Sequence, residues 1–153
     1  MRTIEIPKLK FSKWHYWADR TEITNINYPG IYLLAITNQN LTAKTAKYEH
    51  VSYIGMTNSI SGLRGRLGQL HSSINGGTGH SGGNTIRRQL GLYEEWGNGL
   101  DLYVSVCPVI CDTKERTPKD LQLMGAISYM EYEAFALFKN TCPKQEKPQY
   151  NTR

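Results

Sequence analysis

Gly30-Ile31-Tyr32-Leu33-Leu34-Ala35-Ile36 and Val51-Ser52-Tyr53-Ile54-Gly55-Met56-Thr57 are two short apolar runs joined by a polar stretch, Thr37 to His50. The first is apolar on both alternating faces, the pattern of a central strand covered on two sides. In the second, Tyr53 and Gly55 point the same way, because strand side chains alternate. The polar connection lets the two runs pair as an antiparallel hairpin with a long loop. In register, Tyr32 and Tyr53 then share one face of a sheet. Leu63-Arg64-Gly65-Arg66-Leu67 follows and opens a helix over 62–75. Leu63, Leu67, Leu70 and Ile74 make the stripe that packs on the sheet. At about 100° per residue, Arg66 lies about 60° to one side of that stripe, and His71 and Arg64 lie about 80° and about 100° to the other.

The rest of the chain supplies one more strand and two more helices. Leu100 to Val109 alternates, with Leu102, Val104 and Val106 opposed to Tyr103, Ser105 and Cys107, and Pro108 ends it. Asn84 to Trp96 reads as a helix with Ile86, Leu90 and Tyr93 inward, leaving Arg87 and Arg88 free for phosphates. Thr117-Pro118-Lys119-Asp120 is a helix start with Thr as N-cap and Pro at the first position. That helix runs to about Lys139 on Leu123, Ile127, Met130, Ala134 and Leu137. Glu133 and Glu131 project about 80° to either side of this stripe, so only one of them faces a site on the sheet. The expected fold is a small α/β (α+β) domain, a three-stranded antiparallel sheet flanked by helices. No linker or repeat divides residues 1–153.

Residues 1–27 form a basic and aromatic N-terminal extension, with Lys8, Lys10, Lys13 and Arg20 interleaved with Phe11, Trp14, Tyr16 and Trp17. Cations hold phosphates and rings stack on bases, so the composition suits nucleic acid. The plainer expectation is that Trp14 and Trp17 cover the sheet edge on a short helix. The 153 residues carry a net charge of +5, which fits a polyanionic partner and equally fits a soluble surface. No apolar run approaches the ~20 residues of a membrane span. Met1 to Phe11 has no apolar h-region, so no export signal is expected. The three cysteines, Cys107, Cys111 and Cys142, are then expected as reduced thiols in a cytoplasmic protein, without the spacing of a zinc site. Gly76 to Gly83 (GGTGHSGG) lacks the order of a P-loop. It reads either as a loop pressing His80 against a phosphate or base, or as a plain connector.

Gly30-Ile31-Tyr32, Tyr53-Ile54-Gly55, Leu63 three residues before Arg66-Leu67, Glu133 on a late helix, and Pro148-x-Tyr150-Asn151 together resemble the GIY-YIG nuclease family, over residues 28 to 151. One Gly-Ile-Tyr alone means nothing; two such tripeptides on consecutive strands followed by this helix form a specific pattern. The resemblance implies a metal-dependent endonuclease hydrolysing DNA phosphodiester bonds, with duplex DNA favoured. Phosphodiester hydrolysis needs a deprotonated nucleophile, charge relief on the phosphate and help for the leaving oxygen. By resemblance Tyr32 is the general base, Tyr53 orients water or phosphate, and Arg66 donates to a non-bridging oxygen. Glu133 holds one Mg²⁺ or Mn²⁺, and Asn151 ties the C-terminus to the core. The chain departs from the family where a histidine or tyrosine usually follows the arginine by four residues: Leu70 stands there and His71 comes one step late. Arg64 therefore stays a rival to Arg66, and Glu131 to Glu133. No second DNA-binding domain fits in the chain. Recognition would fall to residues 1–27, Arg64, His80, Arg87 and Arg88, as in a compact restriction-type enzyme. One site cuts one strand, so a double-strand break needs a homodimer or two encounters. A DNA-repair or mobile-element nuclease, an RNA-directed nuclease and a catalytically silent nucleic-acid-binding module are the alternatives.

Overall fold

β2 (Gly30–Thr37) lies at the middle of the sheet because it is apolar on both faces and needs cover on both. The computed structural model describes residues 5–152. In it β2 pairs antiparallel with β3 (Tyr53–Thr57) on one side and with β4 (Asp101–Pro108) on the other. A short strand, β1 (His15–Tyr16), pairs antiparallel with the far side of β4, giving the order β1-β4-β2-β3. The sheet therefore has four strands, not three, and the fourth comes from the N-terminal extension. A two-residue strand carries no alternation to read. The flanking tryptophans anchor it: Trp14 and Trp17, each 1% exposed, enter the cores on opposite faces of the sheet. Trp17 also opens a 3-10 helix, Trp17–Glu22, so the short-helix expectation for this region holds in part.

Alternation along β2 sorts the two layers. Ile31, Leu33 and Ala35 join Ile127, Met130, Ala134 and Phe138 of α3 (Pro118–Thr141) on one face. Tyr32 and Leu34 join Leu63, Leu67, Leu70 and Ile74 of α1 (Gly62–Ile74) and Ile86 of α2 (Ser81–Leu90) on the other. The α1 stripe is thus buried as its spacing predicts. In α3, Leu137 is 40% exposed and Phe138 is buried in its place. The α3 start is a capping box: Thr117 Oγ1 accepts from the Asp120 N–H, and Asp120 accepts from the Thr117 N–H. The second helix begins earlier than its sequence suggests, at Ser81, and ends at Leu90 before a 3-10 turn, Tyr93–Glu95.

β3 is an edge strand, and exposed edge groups need partners. Asn151 supplies them. Its Oδ1 accepts from the Ile54 N–H at 2.9 Å, and its Nδ2 donates to the Ile54 carbonyl at 2.9 Å. The Tyr150 N–H adds a bond to the Ser52 carbonyl at 2.9 Å. The C-terminus is thereby stitched along β3. Among the described residues no helix is long and apolar enough to cross a membrane.

Candidate active site

Tyr32 and Tyr53 come together because of sheet register. Tyr32 pairs with Gly55, and Tyr53 pairs with Leu34, which puts both phenols on the α1/α2 face. The Tyr32 ring then leans across β3 over Gly55, where a Cβ would overlap it. The two rings stack with centroids 6.0 Å apart and planes 29° apart. Gly82, in the first turn of α2, has the same relation to the Tyr53 ring, and a Cβ there would overlap that phenol.

His80 closes the cluster from the N-terminus of α2. Its Nε2 lies 2.6 Å from the Tyr32 hydroxyl, and its ring is 5.7 Å from that of Tyr53. Its Nδ1 accepts from the Gly83 N–H at 2.9 Å, so the side chain is the helix cap. The His80 N–H donates to Ser73 Oγ of α1 at 3.0 Å. The glycine-dense segment is therefore a packed junction between α1, α2 and the sheet. His80, expected as a contact to a phosphate or base, is 0% exposed.

Arg66 and Glu131 set the electrostatics. Arg66, half-buried on α1, donates to Gln69 Oε1 at 2.7 Å and to the Gly79 carbonyl at 3.4 Å. Burial pushes the Tyr32 hydroxyl well above the ordinary phenol value, and neighbouring Tyr53 adds to this; Arg66 pulls it back. Burial also raises Tyr53; Arg66 and the Tyr32 hydroxyl lower it, and Glu131 raises it further. Burial, then Arg66, drives His80 down to about 3, so its ring is neutral at physiological pH. Glu131 is raised by burial and lowered by Arg66. A cleft of about 610 Å³ opens beside this group, lined by Tyr53, Ser81, Gly82, Glu131, Tyr132 and Lys147 among others. A groove of about 630 Å³ elsewhere, around Asn27 to Pro29 and Ile110 to Lys114, holds none of these residues.

The other candidates lie apart. Glu133 acts on Tyr48, which packs into the α3 core, and the α3 carboxylate that lines the cleft is Glu131. His71 accepts from Trp17 Nε1 at 3.0 Å and sits near Arg20, so its ring is held by the N-terminal extension. Arg64 is exposed and ties α1 to the segment before β2, donating to Asn27 Oδ1 at 2.6 Å and the Thr21 carbonyl at 3.1 Å. Arg87 is half-buried, and its Nη1 donates to the Ser73 and Gly77 carbonyls at 3.0 and 2.7 Å. Arg88 stays exposed, bonded to Thr85 Oγ1 at 3.2 Å. Sequence reasoning missed the contact of Gly82 with Tyr53 and the capping role of His80. The one local signal was a histidine directly before Ser-Gly-Gly at a helix start.

The chain is thus an α+β domain built on a four-stranded antiparallel sheet, with two helices on one face and one on the other. Its polar cluster lies where β2 and β3 meet the starts of α1 and α2. No protein-family model matches the chain, and neither does any curated protein or solved structure.

Proposed function

We propose that this chain is a divalent-metal-dependent endonuclease acting on DNA, a nuclease of the GIY-YIG kind. One convergence carries the reading. Arg66 of α1 acts on the phenols of Tyr32 in β2 and Tyr53 in β3 and on the Glu131 carboxylate of α3, and Tyr53 and Glu131 line one open cleft. Binding a nucleic acid needs no such combination; activating water against a phosphodiester does. The guanidinium of Arg66 suits a non-bridging phosphate oxygen. Tyr53 lines the cleft and is the tyrosine that meets the attacking water, while fully buried Tyr32 lies behind and acts through it. A phenol serves as a base only once its proton has left, and Arg66 is the group that favours the phenolate in both.

Glu131 fits one hard cation. It is a partly buried carboxylate at the cleft wall, desolvated and opposed by one nearby positive charge. Among the described residues no group of three or more acidic, histidine or cysteine side chains gathers to hold a metal. A site with one protein carboxylate suits Mg²⁺, which keeps most of its waters. Bound there, Mg²⁺ or Mn²⁺ would supply charge stabilisation to the phosphate and the leaving oxygen. The net charge of +5 supports a polyanionic substrate. Duplex DNA, a compact restriction-type enzyme, a homodimer for double-strand breaks and a cytoplasmic setting complete the reading, with a repair or mobile-element nuclease as its near alternative.

One observation favours a catalytically silent DNA-binding module instead: Tyr32 is 0% exposed. Plasmid cleavage with Mg²⁺ and with EDTA, beside Tyr53→Phe and Glu131→Gln, separates the two. Metal-dependent nicking lost in both variants is the expected result. Intact DNA binding with no cleavage of duplex DNA, branched DNA or RNA would overturn the nuclease reading.

A further inference from the structure

We infer that His80 is a positioning residue locked in a single tautomer, donating from Nε2 to the Tyr32 hydroxyl oxygen and so turning the Tyr32 proton away from itself, toward Tyr53. The proton count follows from the backbone. The Gly83 N–H is a fixed donor and lies 2.9 Å from Nδ1, so Nδ1 carries no proton. A neutral imidazole then holds its one proton on Nε2. Nε2 lies 2.6 Å from the Tyr32 oxygen, so within this pair the imidazole donates and the phenol oxygen accepts. The Tyr32 proton can no longer point at His80. Tyr53, across the stacked rings, is the acceptor left to it, since the Arg66 guanidinium only donates, and both hydroxyls already act on each other. Tyr32, Tyr53 and Arg66 are also the titratable or charged groups that face the His80 ring.

His80 therefore cannot take a proton from Tyr32. It can stabilise negative charge there, while any proton leaving the phenol travels toward the cleft. The Ser73 hydroxyl on the His80 N–H and the close packing of Gly83 on Ser73 and Leu70 hold the cap in place. The catalytic consequence rests on the nuclease reading; the tautomer and its donor role do not.

The test has two independent arms. Long-range ¹⁵N NMR of the full chain reads the tautomer directly: Nδ1 unprotonated and Nε2 protonated, unchanged from about pH 8 to about pH 5. A protonated Nδ1 would overturn the inference whether or not the protein cuts DNA. The second arm compares two substitutions. His80→Asn keeps an acceptor for the Gly83 N–H but loses the donor to Tyr32; His80→Gln keeps a donor reaching Tyr32 but loses the cap. Cleavage is expected to fall about tenfold or more in His80→Asn, with much of it recovered in His80→Gln. The reverse order would show that His80 acts only as a helix cap. If neither variant nor the wild type cuts any substrate, the nuclease reading fails, while the NMR arm still decides the tautomer.

Discussion

The phenol of Tyr32 lies across Gly55 of the neighbouring strand, at the place where the Cβ of any other residue would overlap it. Glycine in a strand interior otherwise weakens the strand, so this one marks a close approach. Gly55→Ala is expected to cost about 1–3 kcal/mol of stability through overpacking. Urea unfolding measures it. In a Tyr32→Ala background the same change should cost far less, since the clash is gone. Additive costs in this double-mutant cycle would show that the glycine is not there for the tyrosine.

Glu131 and Glu133 face opposite flanks of α3, one toward the cleft and one toward Tyr48. Glu131→Gln is expected to lower metal-dependent cleavage by about 10²–10³-fold, the scale for losing a key electrostatic group. Glu133→Gln should leave cleavage within about threefold, as surface changes away from such features do. Cleavage rates at saturating Mg²⁺ for the two variants decide between the flanks. Full activity in Glu131→Gln would send the metal elsewhere.

The buried His80 makes stability depend on pH. Unfolded, a histidine titrates near ~6.5; folded, burial and Arg66 hold this one at about 3. Between those values the unfolded chain binds the extra proton, so stability is lost as pH falls, by up to about 1.4 kcal/mol per pH unit. Above the unfolded value the contribution is complete and flat. Urea unfolding from about pH 7 to about pH 4 should therefore show a steeper acid loss in the wild type than in His80→Gln. His71, also depressed by burial and Arg20, adds a smaller slope common to both. Parallel curves would mean that His80 is not held neutral.

Arg87 is expected to matter for folding more than for DNA. Its guanidinium holds the end of α1 to the glycine loop through two carbonyls. Arg87→Ala should destabilise by about 1–3 kcal/mol by leaving those acceptors without their charged donor. The salt dependence of DNA binding should not change, because that slope counts phosphate contacts. A lower slope with unchanged stability would return Arg87 to the DNA-binding surface.

Short-range patterns in the chain were enough for the three long strands, the buried stripe of α1 and the capped start of α3. Each depends on alternation, on a helical period or on a cap within a few residues, and those act locally. The facing of Tyr32 and Tyr53 also followed once the two runs pair in this register, since a one-residue slip would put them on opposite faces.

Long-range packing decided the rest. β1 has two residues and exists because Trp14 and Trp17 bury themselves on opposite faces of the sheet. Glu131 and Glu133 are symmetric about the α3 stripe, so only the flank that lies beside the β3 edge distinguishes them. His71 and His80 are placed by contacts that no local pattern carries: Trp17, far away in the chain, captures the first, while the Gly83 N–H and Tyr32 hold the second. Periodicity tells a side chain which face of its own element it occupies. It says nothing of what the neighbouring element brings to that face, and at this site the neighbours set which group holds which proton.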